Sequence, residues 1–347
     1  MTDLDVVVIS KNEGAQLRGT VDCLLDTTTD SARIIVVDDA SDDASADFLT
    51  GPGYSDVILT RNKTTQGIAR ARNIGARIGS APFIVFSDAH NHVQPGWWDG
   101  LSATFAHGRV GAAGPAFVSS DDIESPRAYG MSLIDSTLKP VWLTEYHPGI
   151  QDVPILGGGF LAIRRNLWRE SGMFDEGMRG FGYEDAELCM RIWLMGMACV
   201  VVPDILVAHK FRDSPSYHID ESAYVYNWLR FAMLHLTGRR LSVSMRTATL
   251  HRRFAEALQL LLDSDIAARR RKLNAIKRQD DSWFFTEFGI SLNDDRLQET
   301  LMQLVHDFGY IAIPQDPGSL AAEDIVIATE RGKVLDIGYA KDVLVQP

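Results

Sequence analysis

Four apolar runs separated by short polar breaks constrain the first third of this chain more than any other feature. Val6–Ser10 (VVVIS), Arg33–Asp39 (RIIVVDD), Val57–Thr60 (VILT) and Phe83–Ala89 (FIVFSDA) are β-branched and nearly continuous in hydrophobicity. A strand with one wet face alternates apolar and polar residues. A strand covered on both faces does not, so these runs read as interior strands. Amphipathic stretches lie between them. In Gln66–Gly79 (QGIARARNIGARIG), Ile68, Ala71, Ile74, Gly75 and Ile78 share one side of a helical wheel, and Arg70, Asn73 and Arg77 share the other. Strand–helix alternation of this kind predicts an α/β fold, a doubly wound and mostly parallel sheet covered by helices.

Further along the pattern loosens. From about Gly111 to Gln151 Ser, Asp and Pro are frequent, which predicts loops and a short edge hairpin. Order returns at ILGGGFLAIRR, at the helix-like EDAELCMRIWLMG and at the strand Cys199–Pro203. From about Asp220 to Phe308 the pattern is helical, with runs such as SAYVYNWLRFAMLHL. The expected division is an α/β domain over 1–215, a helical region over 216–310 and a short tail over 311–347 with strand-like pieces (VIAT, KVLDIG). The stretch Tyr224–Leu236 is expected to pack the helical region against the α/β domain.

Composition narrows the class. The 347 residues are 46% hydrophobic and 23% charged, ordinary for a folded globular chain. A formal net charge of −12 argues against general affinity for nucleic acid or anionic membrane, both of which reward clustered Lys and Arg. MTDLDVVVIS has no basic segment followed by a long apolar run, and no apolar run is long enough to span a bilayer. Three scattered cysteines, Cys23, Cys189 and Cys199, suit a reducing compartment. A cytoplasmic protein without a secretory signal or transmembrane segment is expected.

Ligands of an open α/β sheet bind at strand ends. Asp38-Asp39 closes the second strand and Ser87-Asp88-Ala89-His90 the fourth. Two acidic clusters at neighbouring strand ends suit a nucleotide, which one carboxylate contacts, and a cation, which the other coordinates. For Asp38 and Asp39, turn formation is an equal alternative. Asp88 and His90, two apart, project to one side and can grip one ion, and carboxylate plus imidazole suits Mn²⁺ better than Ca²⁺. His92 continues the spacing but reads as a solvated loop residue.

In FGYEDAEL, Asp185 falls in phase with Leu188 and Ile192 and so points inward, although acids in a first helical turn also suit the helix dipole. Before it, Gly177, Gly180 and Gly182 alternate with Phe181 and Tyr183. Glycines admit close backbone approach and aromatic rings offer a platform for a sugar. Gly157-Gly158-Gly159 fits the same argument. HKFRDSPSYH carries a metal-competent His209, a phosphate-competent Arg212 and Tyr217, as an active-site lid would; a polar linker between domains is the plainer reading.

Together these residues resemble the GT-A glycosyltransferases, and among them the polypeptide N-acetylgalactosaminyltransferases. The resemblance covers roughly Asp5 to Tyr217. It is carried by VVVISKNE, VVDDAS, GIARARNIGA, SDAHNHVQPGWWDGL with Trp97, LGGGFLAIRR, and HKFR with Tyr217. It implies Asp88, His90 and His209 as ligands of Mn²⁺ or Mg²⁺, and Asp39 and Arg70, with Asp38 beside them, as contacts to the nucleotide. Arg212 and Tyr217 would contact the diphosphate, and Gly158, Gly159 and Glu184 the transferred sugar. The implied partner is a nucleotide-sugar donor such as a UDP-sugar. The acceptor is open between peptide, natural product and glycan.

Two departures qualify the resemblance. Polypeptide transferases retain anomeric configuration and usually carry Glu-Asn where this chain has Glu184-Asp185, a pair that resembles inverting members whose Asp is the general base. The C-terminal part is helical and lacks Cys-rich lectin repeats. The expectation is therefore an inverting transfer with Asp185 as base; retaining transfer to a peptide, or nucleotide-sugar binding without catalysis, are the alternatives. A sugar-phosphate nucleotidyltransferase would need a Gly-rich, basic loop after the first strand, where this chain has SKNEGAQL.

Overall fold

The computed structural model describes residues 2–28, 31–212 and 216–292, together with the backbone of Ile325–Glu330 and Lys333–Tyr339. The apolar runs form strands where expected. The first part comprises β1 (Leu4–Ser10), α1 (Ala15–Thr27), β2 (Ala32–Asp38), β3 (Val57–Arg61), α2 (Ile68–Ile78) and β4 (Phe83–Asp88). Next come β5 (Asn91–Val93), α3 (Trp97–Thr104), β6 (Val110–Ser119), β7 (Met131–Leu133), β8 (Pro140–Trp142), β9 (Gln151–Asp152) and β10 (Phe160–Arg164). They are followed by α4 (Arg165–Glu170), α5 (Glu184–Leu194) and β11 (Ala198–His209). The helical region carries α6 (Glu221–His235), α7 (Gly238–Ala248), α8 (Phe254–Leu262), α9 (Ile266–Asn274) and α10 (Asp281–Glu287).

The main sheet runs β3-β2-β1-β4-β10-β6-β11-β5, with β9 alongside β11. It is the expected mostly parallel α/β sheet: β1 to β4 are parallel, as are β6 and β11. The register sets Ser10 beside Asp38 and Ile9 beside Asp88, so β1, β2 and β4 end on one edge. β10 runs antiparallel between β4 and β6, with Phe160 opposite Ser87. Its reversed direction brings the preceding Gly157–Gly159 to that same edge.

Two elements differ from their sequence readings. β6 occupies part of the stretch read as loop, and nine of its ten residues are buried. Its VGAAGPAFVS has too few large apolar residues to register as a strand, yet small residues are what the packing demands. A Cβ on Gly111 would lie 2.5 Å from Leu167 and one on Gly114 3.0 Å from Leu156. β11 continues past Pro203 to His209, because a register shift between Val202 and Leu206 takes up the proline and keeps the pairing with β6. β7 and β8 form the expected short hairpin.

α2 packs on β1 and β2. Its buried positions are mostly small, namely Ala69, Ala71, Gly75 and Ala76, whereas Ile78, assigned inward on the wheel, is 38% exposed. A methyl on Gly75 would come within 2.3 Å of Val7 Cγ1 and 2.9 Å of Val37 Cγ2. Overpacking of this kind costs about 1–3 kcal/mol, and Ala's better helix propensity returns at most about 1 kcal/mol. Gly75→Ala is therefore expected to lower stability in urea unfolding. An unchanged midpoint would mean that α2 shifts freely on the sheet.

Residues Met1–Ile290 form one compact unit, and the expected boundary near 215 lies inside it. Phe231 and Ala232 of α6 and Leu236 just after it, with Phe284 and Phe285 of α10, belong to the same hydrophobic cluster as the sheet. A buried polar knot joins α5 to α6. Glu187 accepts hydrogen bonds from Arg191 and sits 2.8 Å from His235 Nε2, and all three side chains are buried. In the second unit, β12 (Ile325–Glu330) pairs antiparallel with β13 (Lys333–Tyr339), which include the strand-like pieces of the tail. The helical reading beyond Leu292 lies outside the described residues. Among those described, no helix is long and apolar enough to cross a membrane.

Candidate active site

Asp88 ends β4, His90 follows in the turn to β5, and His209 ends β11. β5 pairs with β11 so that Asn91 faces His209, and this folds His90 back onto the end of β11. Asn91 secures the turn, its Nδ2 donating to Gly159 O at 2.6 Å and Ser87 Oγ at 3.1 Å. The Nε2 atoms of His90 and His209 lie 3.9 and 3.6 Å from Asp88 Oδ2, and one ligand atom from each of the three lies within 4.8 Å of the others. One carboxylate oxygen and two imidazole nitrogens fit Mn²⁺ or a similar first-row ion. His92 is exposed and stands outside this group. The rings of Phe117 and Phe211 pack around His209, with centroids at 5.7 and 4.6 Å.

Behind the trio sits a residue the sequence reading passed over. Arg72, 2% exposed, donates from Nη2 to Gly158 O (2.7 Å) and Asp88 Oδ1 (3.3 Å), and from Nη1 to Glu184 Oε1 (3.1 Å). Burial opposes its charge, but Glu184, Asp88 and Asp185 outweigh that and raise its pKa. Burial likewise opposes an ionised Asp88, yet the nearby His209 ring and the Arg72 charge hold its carboxyl well below the usual range. Burial and the Asp185 charge push Glu184 up to about 7. Burial also raises Asp185, against the pull of Arg72 and the N–H groups of Ala186 and Gly158.

Asp185 points inward, as its helical phase predicts. Its Oδ2 accepts from Gly158 N at 2.9 Å and its Oδ1 from Ala186 N at 2.7 Å. The glycines make this closeness possible. A Cβ on Gly158 would lie 2.8 Å from Asp185, and one on Gly159 3.1 Å from His209 and 3.3 Å from Asp88. Tyr183, just before α5, holds a left-handed φ of 70°, strain of the sort that collects at functional sites.

The trio opens into a cleft of about 1110 Å³, whose lining includes Lys11, Glu13, Asp39, Gly67, Arg70, Gly177–Phe181, Phe211, Arg212, Tyr217 and Tyr226. Asp39 accepts from Asn62 Nδ2 (2.7 Å) and from the backbone N–H of Gln66 (2.8 Å) and Gly67 (2.9 Å), so it shapes the entry to α2 as well as the cleft. Asp38 is turned away from the lining; it accepts from Ser41 N at 2.9 Å and faces Arg61 at 3.6 Å. Arg70 lines the cleft and donates to Glu176 O at 2.9 Å. Burial and the charges of Asp88 and Glu184 push the Tyr217 phenol up. Gly158, Gly159, Glu184 and Asp185 lie behind the trio and are not among the lining residues.

In the sequence Glu13 stands out only as part of VVVISKNE, without a role, and Asn227 has no local signal. Glu13 Oε2 lies 3.2 Å from His90 Nδ1, the contact that leaves Nε2 free for an ion. Asn227, on α6, accepts from Arg179 N (2.8 Å) and faces the carbonyls of Arg179, Phe181 and Gly182 at 2.8, 3.2 and 3.0 Å. With Tyr226 Oη donating to Gly177 O at 2.8 Å and Arg230 paired with Asp175, it ties α6 to the glycine-rich loop that leads into Glu184.

Residues 5–172 match the family model described as glycosyl transferase family 2. The crystal structure of GalNAc-T7 with UDP, GalNAc and Mn²⁺ superposes with a TM-score of 0.68 at 20% identity, over 83% of this chain and 57% of that one. The chain has the GT-A glycosyltransferase fold. This GT-A chain resembles the N-acetylgalactosaminyltransferases in sequence as well. The probable N-acetylgalactosaminyltransferase 7 of Caenorhabditis elegans is 29% identical over 238 residues, 62% of this chain and 40% of that protein. Polypeptide N-acetylgalactosaminyltransferase 6 of Bos taurus is 25% identical over 312 residues, 80% of this chain and 48% of that protein. The chain spans less than half the length of these relatives.

Proposed function

We propose that this GT-A chain transfers a sugar from a nucleoside-diphosphate donor to an acceptor hydroxyl in a metal-dependent reaction. The observation that carries this reading is the Asp88/His90/His209 trio in a cleft that also presents Asp39 and Arg70. UDP and Mn²⁺ are the first donor and metal to test, because they are named with the GalNAc-T7 structure. A Mn²⁺ held by Asp88, His90 and His209 would supply positive charge to the departing diphosphate. Asp39 and Arg70 would take the nucleotide half, and Arg212 and Tyr217 would bind the diphosphate and exclude water. Gly158, Gly159 and Glu184 do not line the cleft, so here they would position Arg72, Asp88 and His209 rather than touch the sugar.

In this reading Asp185 removes the proton of the acceptor hydroxyl as it attacks the sugar, and the product is inverted. One observation favours the other stereochemistry: Asp185 is held by two N–H groups and does not line the cleft. If Asp185 only positions the site, the ground for expecting inversion goes, and retention, as in the polypeptide transferases, becomes the reading to test. We place acceptor choice, whether peptide, natural product or glycan, in the helices α6 to α10.

Thermal shifts with a panel of nucleotide sugars, with and without Mn²⁺, test the first step, and hydrolysis or transfer of the sugar tests the second. Chelation should remove both signals and added Mn²⁺ restore them. Asp88→Asn is expected to abolish the Mn²⁺-dependent shift, since it removes the one anionic ligand of the trio. Binding without any turnover would leave a nucleotide-sugar-binding protein instead.

A further inference from the structure

Glu13 stands between two groups that the proposed reaction uses differently. Its side chain is 7% exposed, and its Oε2 both meets His90 Nδ1 at 3.2 Å and accepts from Arg212 Nη2 at 2.5 Å. Arg212 Nη1 lies 3.3 Å from Oε1, so the guanidinium is engaged on both carboxylate oxygens. Arg212 Nη1 also lies 3.3 Å from Ser216 Oγ, which donates to Lys11 O at 3.1 Å. The cleft-lining arginine is thus gathered to the end of β1. Burial works against the Glu13 charge, but the hydrogen bonds to His90 and Arg212 prevail and keep its carboxyl below the ordinary value.

Each fork of a guanidinium takes one bidentate anion at a time, and Glu13 fills the Nη1/Nη2 fork of Arg212. A diphosphate that takes this fork therefore has to displace Glu13, and its apparent affinity falls by the strength of that pair. His90 meets Glu13 through a ring nitrogen on the side away from Asp88, so that contact can persist when the arginine leaves.

We propose that Glu13 is a positioning residue with an exchangeable partner: it keeps His90 turned toward the metal site and holds Arg212 until the donor's diphosphate takes the guanidinium. The proposal rests on the nucleotide-sugar reading above and adds a competitor for the donor within its own site. Removing the carboxylate charge while keeping an acceptor for His90 then strengthens nucleotide binding, and the gain depends on Arg212.

The test is calorimetric titration of UDP at saturating Mn²⁺ into the full chain, Glu13→Gln, Arg212→Ala and the double variant, with a separate Mn²⁺ titration of each. Glu13→Gln should bind UDP about fivefold or more tightly, and that gain should vanish in the Arg212→Ala background. Glu13→Ala, which loses the acceptor for His90, should weaken Mn²⁺ about 10–100-fold. Unchanged or weaker UDP binding by a folded Glu13→Gln, or the same gain without Arg212, overturns the proposal. Should Glu13→Gln melt early, Glu13→Asp gives a second reading: the shorter carboxylate loosens its hold on Arg212, so UDP must bind more tightly than to the unmodified chain at saturating Mn²⁺, and unchanged or weaker binding by that folded variant overturns the proposal. If the unmodified chain binds no UDP in the presence of Mn²⁺, the underlying functional reading fails, and this inference with it.

Discussion

Asp185→Asn is expected to lower turnover by about 10²–10⁴-fold while leaving UDP and Mn²⁺ affinities nearly unchanged. The amide keeps the shape, and its one oxygen can still accept the Gly158 N–H and hold the segment behind the trio, while the Ala186 N–H loses its side-chain acceptor. What it loses is the capacity to take a proton. Burial raises the Asp185 pKa, so the deprotonated base becomes fully populated only at a higher pH than for a free Asp. The rate should therefore rise with pH through the ionisation of the Glu184–Asp185 pair and level off above it, near neutrality given Glu184 at about 7. Near-normal turnover of the variant, or an unaltered acid limb, would remove Asp185 from the base role. The anomeric configuration of the product, read by NMR, decides inversion against retention independently.

Glu187→Ala should have the largest effect on stability, about 3–5 kcal/mol, because it strands a buried guanidinium. Arg191 keeps only the carbonyls of Ser171 and Met173 as partners, and His235 loses its one hydrogen bond. The same knot predicts a pH response. Burial depresses His235 to about 4 despite the Glu187 hydrogen bond, so the folded state keeps the ring neutral where an unfolded His already binds a proton. Its contribution is complete above about pH 6.5 and drains away as pH falls toward 4. Glu187, whose carboxyl also lies well below its ordinary value, adds a further loss below about pH 4.3. Urea unfolding at a series of pH values measures both. Stability that does not change between pH 7 and 5 would contradict a neutral buried His235.

The strands β1 to β4 were legible because continuous β-branched runs have few other uses. Asp88 and His90 were legible as a pair two apart, although the turn from β4 into β5, not an extended strand end, brings them together. His209 could be connected to them only through the order of motifs, since the pairing of β5 with β11 that delivers it is a tertiary fact. The misses have the opposite character. β6 is assembled from Gly and Ala, whose value lies in the space they leave for Leu167 and Leu156. Arg72 looks like one more polar residue on an amphipathic helix, and its importance comes from Asp88, Glu184 and Gly158, far away in sequence. Charged residues on a wheel are placed outside by default, and α2 breaks that default because three carboxylates gather at its inner side. Asp38 shows the converse: its acidic neighbour Asp39 reaches the cleft while Asp38 closes a turn.

The ties from α6 to the glycine-rich loop bear on how this chemistry could be transplanted. A sheet edge bearing Asp88, His90 and His209 looks portable, yet the approach to Glu184 and Asp185 is shaped by Tyr226, Asn227 and Arg230 from beyond residue 215. A graft that stopped at the end of β11 would leave those loop carbonyls and Asp175 facing water and uncover the part of the sheet's hydrophobic cluster against which Phe231 and Leu236 pack. The smallest unit that could carry the proposed site therefore runs to Ile290, because Phe284 and Phe285 of α10 join the same cluster, and libraries aimed at new acceptors would treat the loop and α6 as one mutational unit.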